Sequence, residues 1–82
     1  MSQFKYQTET DAYRALVNVV PFCVRDAIGA EIARAAEGGK PCLIEAHTLA
    51  RKYCSSKATR DHAIEVMNDI DFDAIRAEGD AA

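Results

Sequence analysis

Apolar residues recur at three- and four-residue steps along the first half of the chain, the spacing of an amphipathic helix. The repeat keeps its phase across Pro21, although a proline inside a helix removes one hydrogen bond and clashes with the preceding turn. We therefore expect either a kinked helix or two helices that abut at Pro21. A short strand over residues 16–24 is an alternative, because β-branched and aromatic residues favour strands. The apolar stripe consists of Tyr13, Leu16, Val17, Val20, Val24, Ile28, Ile32 and Ala36.

Residues that favour caps and turns set the ends of this first element. Thr10 or Asp11 is the candidate N-cap, since both side chains can accept a hydrogen bond from a first-turn amide. The segment EGGKP, residues 37–41, ends the element. Glycine adopts the left-handed conformation that closes a helix, and Pro41 suits the first turn of the next one.

Three further helical units follow. A second helix is predicted over about residues 42–54, with Leu43, Ile44, Ala46, His47 or Ala50, and Tyr53 or Cys54 buried. A third is predicted over about residues 57–69, capped by Ser55 or Ser56, with Ala58, Ala63, Ile64, Met67 and Ile70 as its apolar stripe. Asp71 is expected to cap a final short turn over residues 72–78.

These patterns predict a single all-α domain over residues 1–82, a small helical bundle of three to four helices whose first helix is kinked or broken at Pro21. Residues 1–8 are expected to form a loose arm and residues 79–82 a frayed tail. A core of this size contributes only roughly 3–5 kcal/mol. We therefore expect a homo-oligomer that associates through the apolar positions between Tyr13 and Ile32.

Composition places the chain among globular proteins of a reducing compartment. Hydrophobic residues make up 49% of the 82 residues and charged residues 28%, which argues against disorder. Three cysteines at irregular spacing argue against a disulfide framework. No apolar run approaches the roughly 18 residues of a membrane span, and the N-terminus lacks the apolar segment of a signal peptide. We expect a cytoplasmic protein that does not associate with membranes.

Charge is unevenly distributed along the chain. The formal net charge of −3 combines −1 over residues 1–39, +3 over residues 40–62 and −5 over residues 63–82. A basic segment followed by an acidic one suggests that the two parts meet different surroundings.

The basic segment is compatible with a helix-turn-helix over residues 43–70. Residues 43–53 would form the positioning helix, residues 54–56 the turn, and Lys57 would open the recognition helix. A phosphate site at the same helix start is a related interpretation. The missing glycine in the turn and the negative net charge argue against DNA binding. The candidate anion or nucleic-acid contacts are Arg51, Lys52, Ser56, Lys57, Thr59 and Arg60.

Metal binding and catalysis have weaker support. The spacings of Cys42, His47, Cys54 and His62 differ from those that place two ligands on one metal. The run DIDFD, residues 69–73, resembles a calcium loop, but Ala74 stands where glycine is needed and Asp80 where glutamate is usual. Cys23, Cys42 and Cys54 could act as nucleophiles with His47 or His62 as base, but no third orienting group is evident. We expect no cofactor, no metal and no enzymatic activity.

The acidic segment offers a candidate docking surface for a protein partner. Apolar anchors among carboxylates would suit a basic protein surface. An alternative interpretation is that the apolar residues close the core and the carboxylates are solvated. The candidate docking residues are Asp69, Ile70, Asp71, Phe72, Asp73 and Ile75.

The sequence is best interpreted as a small non-enzymatic interaction protein, an adaptor, regulator or inhibitor that binds a macromolecular partner. Small acidic chains of this kind are common among accessory proteins of phages and mobile elements. The alternative is a helix-turn-helix regulator that binds DNA through residues 43–70.

Overall fold

A computed structural model describes residues 4–81 and shows an all-α fold. Within that range the chain forms five α-helices and no β-strand. The predicted all-α class is therefore confirmed, and the predicted number of three to four helices is too low. The additional helix arises because the first predicted helix is two helices. The helices are α1 (Glu9–Ala15), α2 (Phe22–Ala36), α3 (Ile44–Tyr53), α4 (Lys57–Asp69) and α5 (Phe72–Ala81).

The break around Pro21 is wider than the sequence predicts. After α1 the chain forms a 3₁₀ turn over Leu16–Asn18 and becomes extended at Val19. Pro21 is the N-cap of α2, with φ −74° and ψ 174°, and its carbonyl accepts from the Val24 amide at 3.1 Å. A kinked helix through Pro21 is therefore wrong, and so is the strand alternative. Proline is tolerated here because its missing N–H would have no helical partner at a helix start.

The caps match the sequence pattern in the second half of the chain and differ in the first. The Ser56 hydroxyl accepts from the Thr59 amide at 3.1 Å and caps α4, as predicted. Asp71 caps α5 by accepting from the Ala74 amide at 3.0 Å, also as predicted. Thr8, rather than Thr10 or Asp11, caps α1.

The connection from α2 to α3 is longer than predicted. Gly38 has φ 89°, so glycine closes α2 in the left-handed conformation that the sequence predicts. Pro41 lies outside the next helix, since α3 begins at Ile44. Residues 39–43 form an irregular connection, and the Glu31 carboxylate accepts from the Cys42 amide at 2.8 Å.

The hydrophobic core is built around α2, which contacts α1, α3 and α5. Burial of Val24, Ile28 and Ile32 confirms that part of the predicted stripe. Tyr13, Val17 and Val20 are exposed instead, because the break takes these residues out of the helical phase of α2. The remaining buried residues are Ala12, Leu16, Val19, Ala35, Ala46, Ala50, Ala63, Val66, Met67, Ile70 and Ile75.

Both ends of the described chain are more ordered than the sequence predicts. In the predicted arm, the Tyr6 amide donates to the Asp69 carbonyl at 3.0 Å and the Tyr6 carbonyl accepts from the Asp71 amide at 2.8 Å. These bonds tie residue 6 to the junction of α4 and α5. In the predicted tail, residues 79–81 continue α5. Residues 1–3 and 82 lie outside the described part of the chain.

None of the helices in the described range is both long enough and apolar enough to cross a lipid bilayer.

Candidate functional site

The apolar anchors of the acidic segment belong to the core. Ile70 and Ile75 are almost fully buried, and Phe72 is half-buried against the core. The Asp71 carboxylate is engaged as the cap of α5. The docking surface predicted from this segment therefore lacks its two isoleucines, and Asp73 is the one of its six residues that is exposed rather than half-buried or buried.

A shallow groove of about 250 Å³ does lie beside this segment. Phe4 from the N-terminal arm, Phe72 and Asp73 are among its lining residues. Phe4 is partly exposed there. The arm, rather than the predicted isoleucines, supplies the accessible apolar surface at this end of the molecule.

The predicted basic contacts lie together around the start of α4, but several are already engaged. Ser56 and Thr59 share a hydroxyl–hydroxyl hydrogen bond of 2.9 Å in addition to the cap. The Lys57 ammonium lies 3.4 Å from the Asp61 carboxylate in an exposed pair. The Lys52 ammonium lies 5.2 Å from the centre of the Tyr53 ring. Arg51 is exposed and Arg60 is half-buried.

The connection between α3 and α4 gives limited support to a helix-turn-helix. It has the expected three residues, Cys54 to Ser56. Cys54 and Ser56 are extended, and no residue in the described range other than glycine has a positive φ. The exposed face of α4 carries Asp61 and Glu65. These carboxylates would oppose DNA phosphates if α4 entered a groove.

The thiols and imidazoles do not assemble into a metal site. Across the described residues, no three His, Cys, Asp or Glu side chains are close enough to share an ion. Cys42, His47 and His62 are among these residues. Asp71 of the calcium-like run is engaged as a cap. The side chain of Asp80 lies outside the described part of the chain.

Cys54 is the thiol with the most defined surroundings. Its Sγ lies 3.5 Å from the Val20 carbonyl oxygen, to which the thiol donates. Burial raises the pKa of the Cys54 thiol, the nearby Cys23 raises it further, and Arg60 partly opposes the change. A raised pKa keeps the thiol protonated and makes it a poorer nucleophile.

An exposed apolar surface lies between α1 and α2. A groove of about 450 Å³ runs along α1, the 3₁₀ turn and α2. Its lining includes Tyr13 (40% exposed), Val17 (66% exposed), Gly29 and Ala30. Val20 (48% exposed) and Phe22 (70% exposed) lie in and just after the chain break that follows.

Arg25 holds one end of this groove in place. Its Nε donates to the Val19 carbonyl at 3.1 Å and its Nη2 to the Val17 carbonyl at 2.9 Å. The same guanidinium lies 4.7 Å from the centre of the Phe22 ring. These contacts fix the backbone that presents Val17 and hold the Phe22 ring against the Arg25 guanidinium.

Tyr13 marks the other end of the groove. Burial of its hydroxyl raises the pKa of Tyr13, and the charges of Glu9 and Glu37 raise it further. Glu9, at the start of α1, lines a small pocket together with Ala36 at the C-terminal end of α2, whereas Val17 is bonded to Arg25 near the N-terminal end. α1 and its 3₁₀ turn therefore run antiparallel to α2 along the groove.

The sequence pattern points to these residues but assigns them to the core. Tyr13, Val17 and Val20 fit the helical spacing, so periodicity alone predicts their burial. Pro21 is the one sequence signal that could have distinguished them from core residues. A helix break at Pro21 means that the preceding residues need not continue the helical spacing of α2.

Comparison of the chain with protein-family models, with curated proteins and with solved structures gives no significant match.

Proposed function

We propose that the chain is a small non-enzymatic interaction protein whose contact surface is the groove between α1 and α2. The observation that carries this proposal is the exposure of Tyr13 and Val17 on one groove, with the exposed ring of Phe22 beside Arg25 of its lining. Exposing large apolar side chains together is unfavourable in water, and such patches mark interaction sites.

The charges at the groove favour a protein partner over a nucleic acid. Among residues 4–81, Arg25 is the one cation that lines it, and two of its nitrogens are occupied by backbone carbonyls. Asp26, also on the lining, balances its charge. Nucleic acids require several cations along the contact, whereas a protein interface has an apolar centre with few charges.

The setting we propose is cytoplasmic, with the chain acting as an adaptor, regulator or inhibitor. Cys23, Cys42 and Cys54 are all free thiols. Free cysteines are typical of proteins in reducing compartments.

Capture of partners from lysate of the cells that encode the chain tests the proposal. We expect the double variant V17S/F22S to lose the captured protein, because both changes remove exposed apolar surface at the groove. The matched control is I44S/Y53S, which makes the same kind of change at two exposed apolar residues of α3. Equal capture by both variants, with unchanged helicity, would contradict the proposed surface.

A DNA-binding regulator is the second candidate function. Its support is the three-residue connection that joins α3 to α4 with Arg51, Lys57 and Arg60 near the turn. Fluorescence anisotropy with random duplex DNA at low salt tests it. A regulator would bind, lose affinity steeply with added salt, and lose binding when Lys57 and Arg60 are both replaced by alanine. Absence of binding at low salt would exclude it.

A further inference from the structure

The outward face of α2 is open to close approach by another helix. Its middle carries only small residues, with Ala30 and Ala33 exposed and Gly29 on the side that faces Leu16, and Phe22 is exposed at the N-terminal end. Small side chains at a crossing let two helix backbones pack closely, while larger ones at the ends contribute buried area. The face is therefore shaped to receive a helix alongside α2.

The charges on this face are arranged symmetrically about Ala30. Asp26 is exposed and has no ion pair within residues 4–81. Arg34 is exposed and has one weak pair, 3.7 Å from Glu31, with more than half of its side chain in solvent. The two residues lie eight positions apart, about 12 Å along the helix axis, and Ala30 is midway between them.

This charge spacing is self-complementary only when two copies of α2 run antiparallel. If a second α2 packs antiparallel about a two-fold axis near Ala30, each Asp26 lies opposite the Arg34 of the other copy. A parallel arrangement would instead bring the two Asp26 carboxylates together. Opposite charges favour the antiparallel register, and like charges disfavour the parallel one.

The aromatic residues around the groove fit the same register. Phe22 lies at the N-terminal end of α2, and because α1 runs antiparallel to α2, Tyr13 lies farther from that end than Val17 does. An antiparallel partner therefore brings its Phe22 toward Tyr13 of the first copy. Such an aromatic pair would bury two of the exposed side chains that define the groove.

We propose that the occupant of the α1–α2 surface is a second copy of this chain, docked antiparallel about Ala30 with two symmetric Asp26–Arg34 pairs. This inference rests on the proposed function, since it names the partner of the same surface. A helix of 15 residues is about 22 Å long, which limits the contact to a small interface. We expect a dimer with a dissociation constant of roughly micromolar or weaker.

Charge reversal tests the register, with sedimentation equilibrium at low salt as the measurement. We expect D26R and R34D each to weaken dimerisation by about tenfold, since each replaces two attractive pairs by two repulsive ones. The double variant D26R/R34D should recover most of the loss. An equimolar mixture of D26R and R34D should form a heterodimer tighter than either homodimer. E65R, a charge reversal on the exposed face of α4, is the matched control and should leave the dimer unchanged.

Two results would overturn the inference. One is a wild-type chain that stays monomeric up to roughly millimolar concentration, well above where a weak dimer forms. The other is a dimer whose affinity does not recover in the double variant or in the mixture. If the chain is monomeric but V17S/F22S still loses a captured protein, the second copy is excluded and the proposed function stands. Circular dichroism of each variant establishes that the helices are intact.

Discussion

The Arg25 guanidinium bridges the break between α1 and α2 by donating from Nη2 to the carbonyl of Val17 at 2.9 Å. The two residues lie eight positions apart, on either side of Pro21. A second bond from Nε reaches the Val19 carbonyl. Residues 17–20 lie outside regular α-helix, so these bonds satisfy carbonyls that a continuous helix would have paired internally. The hydrogen bonds from Arg25 therefore stabilise the break.

Replacing Arg25 by alanine is expected to destabilise the protein by about 1–2 kcal/mol, because two charge-assisted bonds to backbone carbonyls are lost. Urea unfolding measures the difference. R51A is the matched control, since Arg51 is exposed on α3 and makes no hydrogen bond or ion pair in the described range. Equal unfolding midpoints for R25A and R51A would show that Arg25 does not support the break.

The pattern of caps and periodicity predicts the second half of the fold better than the first. The bounds of α4 and the caps Ser56 and Asp71 follow from local chemistry, because a capping bond joins residues three positions apart. Pro21 signals a break before α2, but the width of that break depends on contacts such as Arg25 with Val17, eight positions apart, that the helical periodicity does not report. For that reason the helical periodicity predicts that Tyr13 and Val17 belong to the core.

The predicted functional residues likewise divide into those whose placement the sequence can predict and those whose placement it cannot. Clustering of Arg51, Lys57 and Arg60 follows from a short turn between two helices, which sequence can predict. Burial of Ile70 and Ile75 could not be distinguished from docking, because an apolar residue among carboxylates fits either role. Tertiary packing decides between them, and it places both isoleucines in the core.

The Ser56 cap gives a second test of local structure. S56A is expected to destabilise the protein by about 1 kcal/mol, since the Thr59 amide loses its acceptor. A domain of this size would then melt roughly 4–8 °C lower. S55A is the control, because Ser55 is exposed and makes no capping bond to α4. A comparable melting temperature for S55A and S56A would contradict the assignment of the cap.

Replacing two helical glycines by alanine is expected to change the stability of the protein in opposite directions. A Cβ at Gly29 would lie 3.6 Å from the Leu16 Cδ1, an ordinary contact, so G29A should stabilise α2 by about 0.5–1 kcal/mol. A Cβ at Gly79 would lie 2.8 Å from the Ala36 carbonyl carbon, which is backbone and cannot move aside, so G79A should destabilise.

Thermal unfolding of the two variants measures this difference against wild type. Stabilisation by both substitutions would show that α5 does not pack against the C-terminal end of α2. Destabilisation by both would show that the groove beside Gly29 is tighter than its geometry indicates.

The raised pKa of Cys54 predicts a difference between the thiols. At neutral pH the thiolate fraction of Cys54 is lowered by burial and by the neighbouring Cys23, so iodoacetamide should alkylate it more slowly than the exposed Cys42. The difference between the two alkylation rates should narrow as pH rises through the pKa of Cys54, because the Cys54 thiolate then forms. Peptide mapping by mass spectrometry after timed alkylation measures both rates. Faster modification of Cys54 at neutral pH would contradict its assigned surroundings.

The most direct test of the α1–α2 groove as the contact surface is methyl NMR of the labelled chain in unlabelled lysate of the cells that encode it. With the chain diluted below the concentration at which it dimerises, we expect the methyl signals of Val17, which lines the groove, to broaden or shift relative to buffer. The methyl signals of Ile44, which is 74% exposed on α3, should change little. Unchanged signals of Val17 beside broadened signals of Ile44 would show that the protein makes its contacts elsewhere.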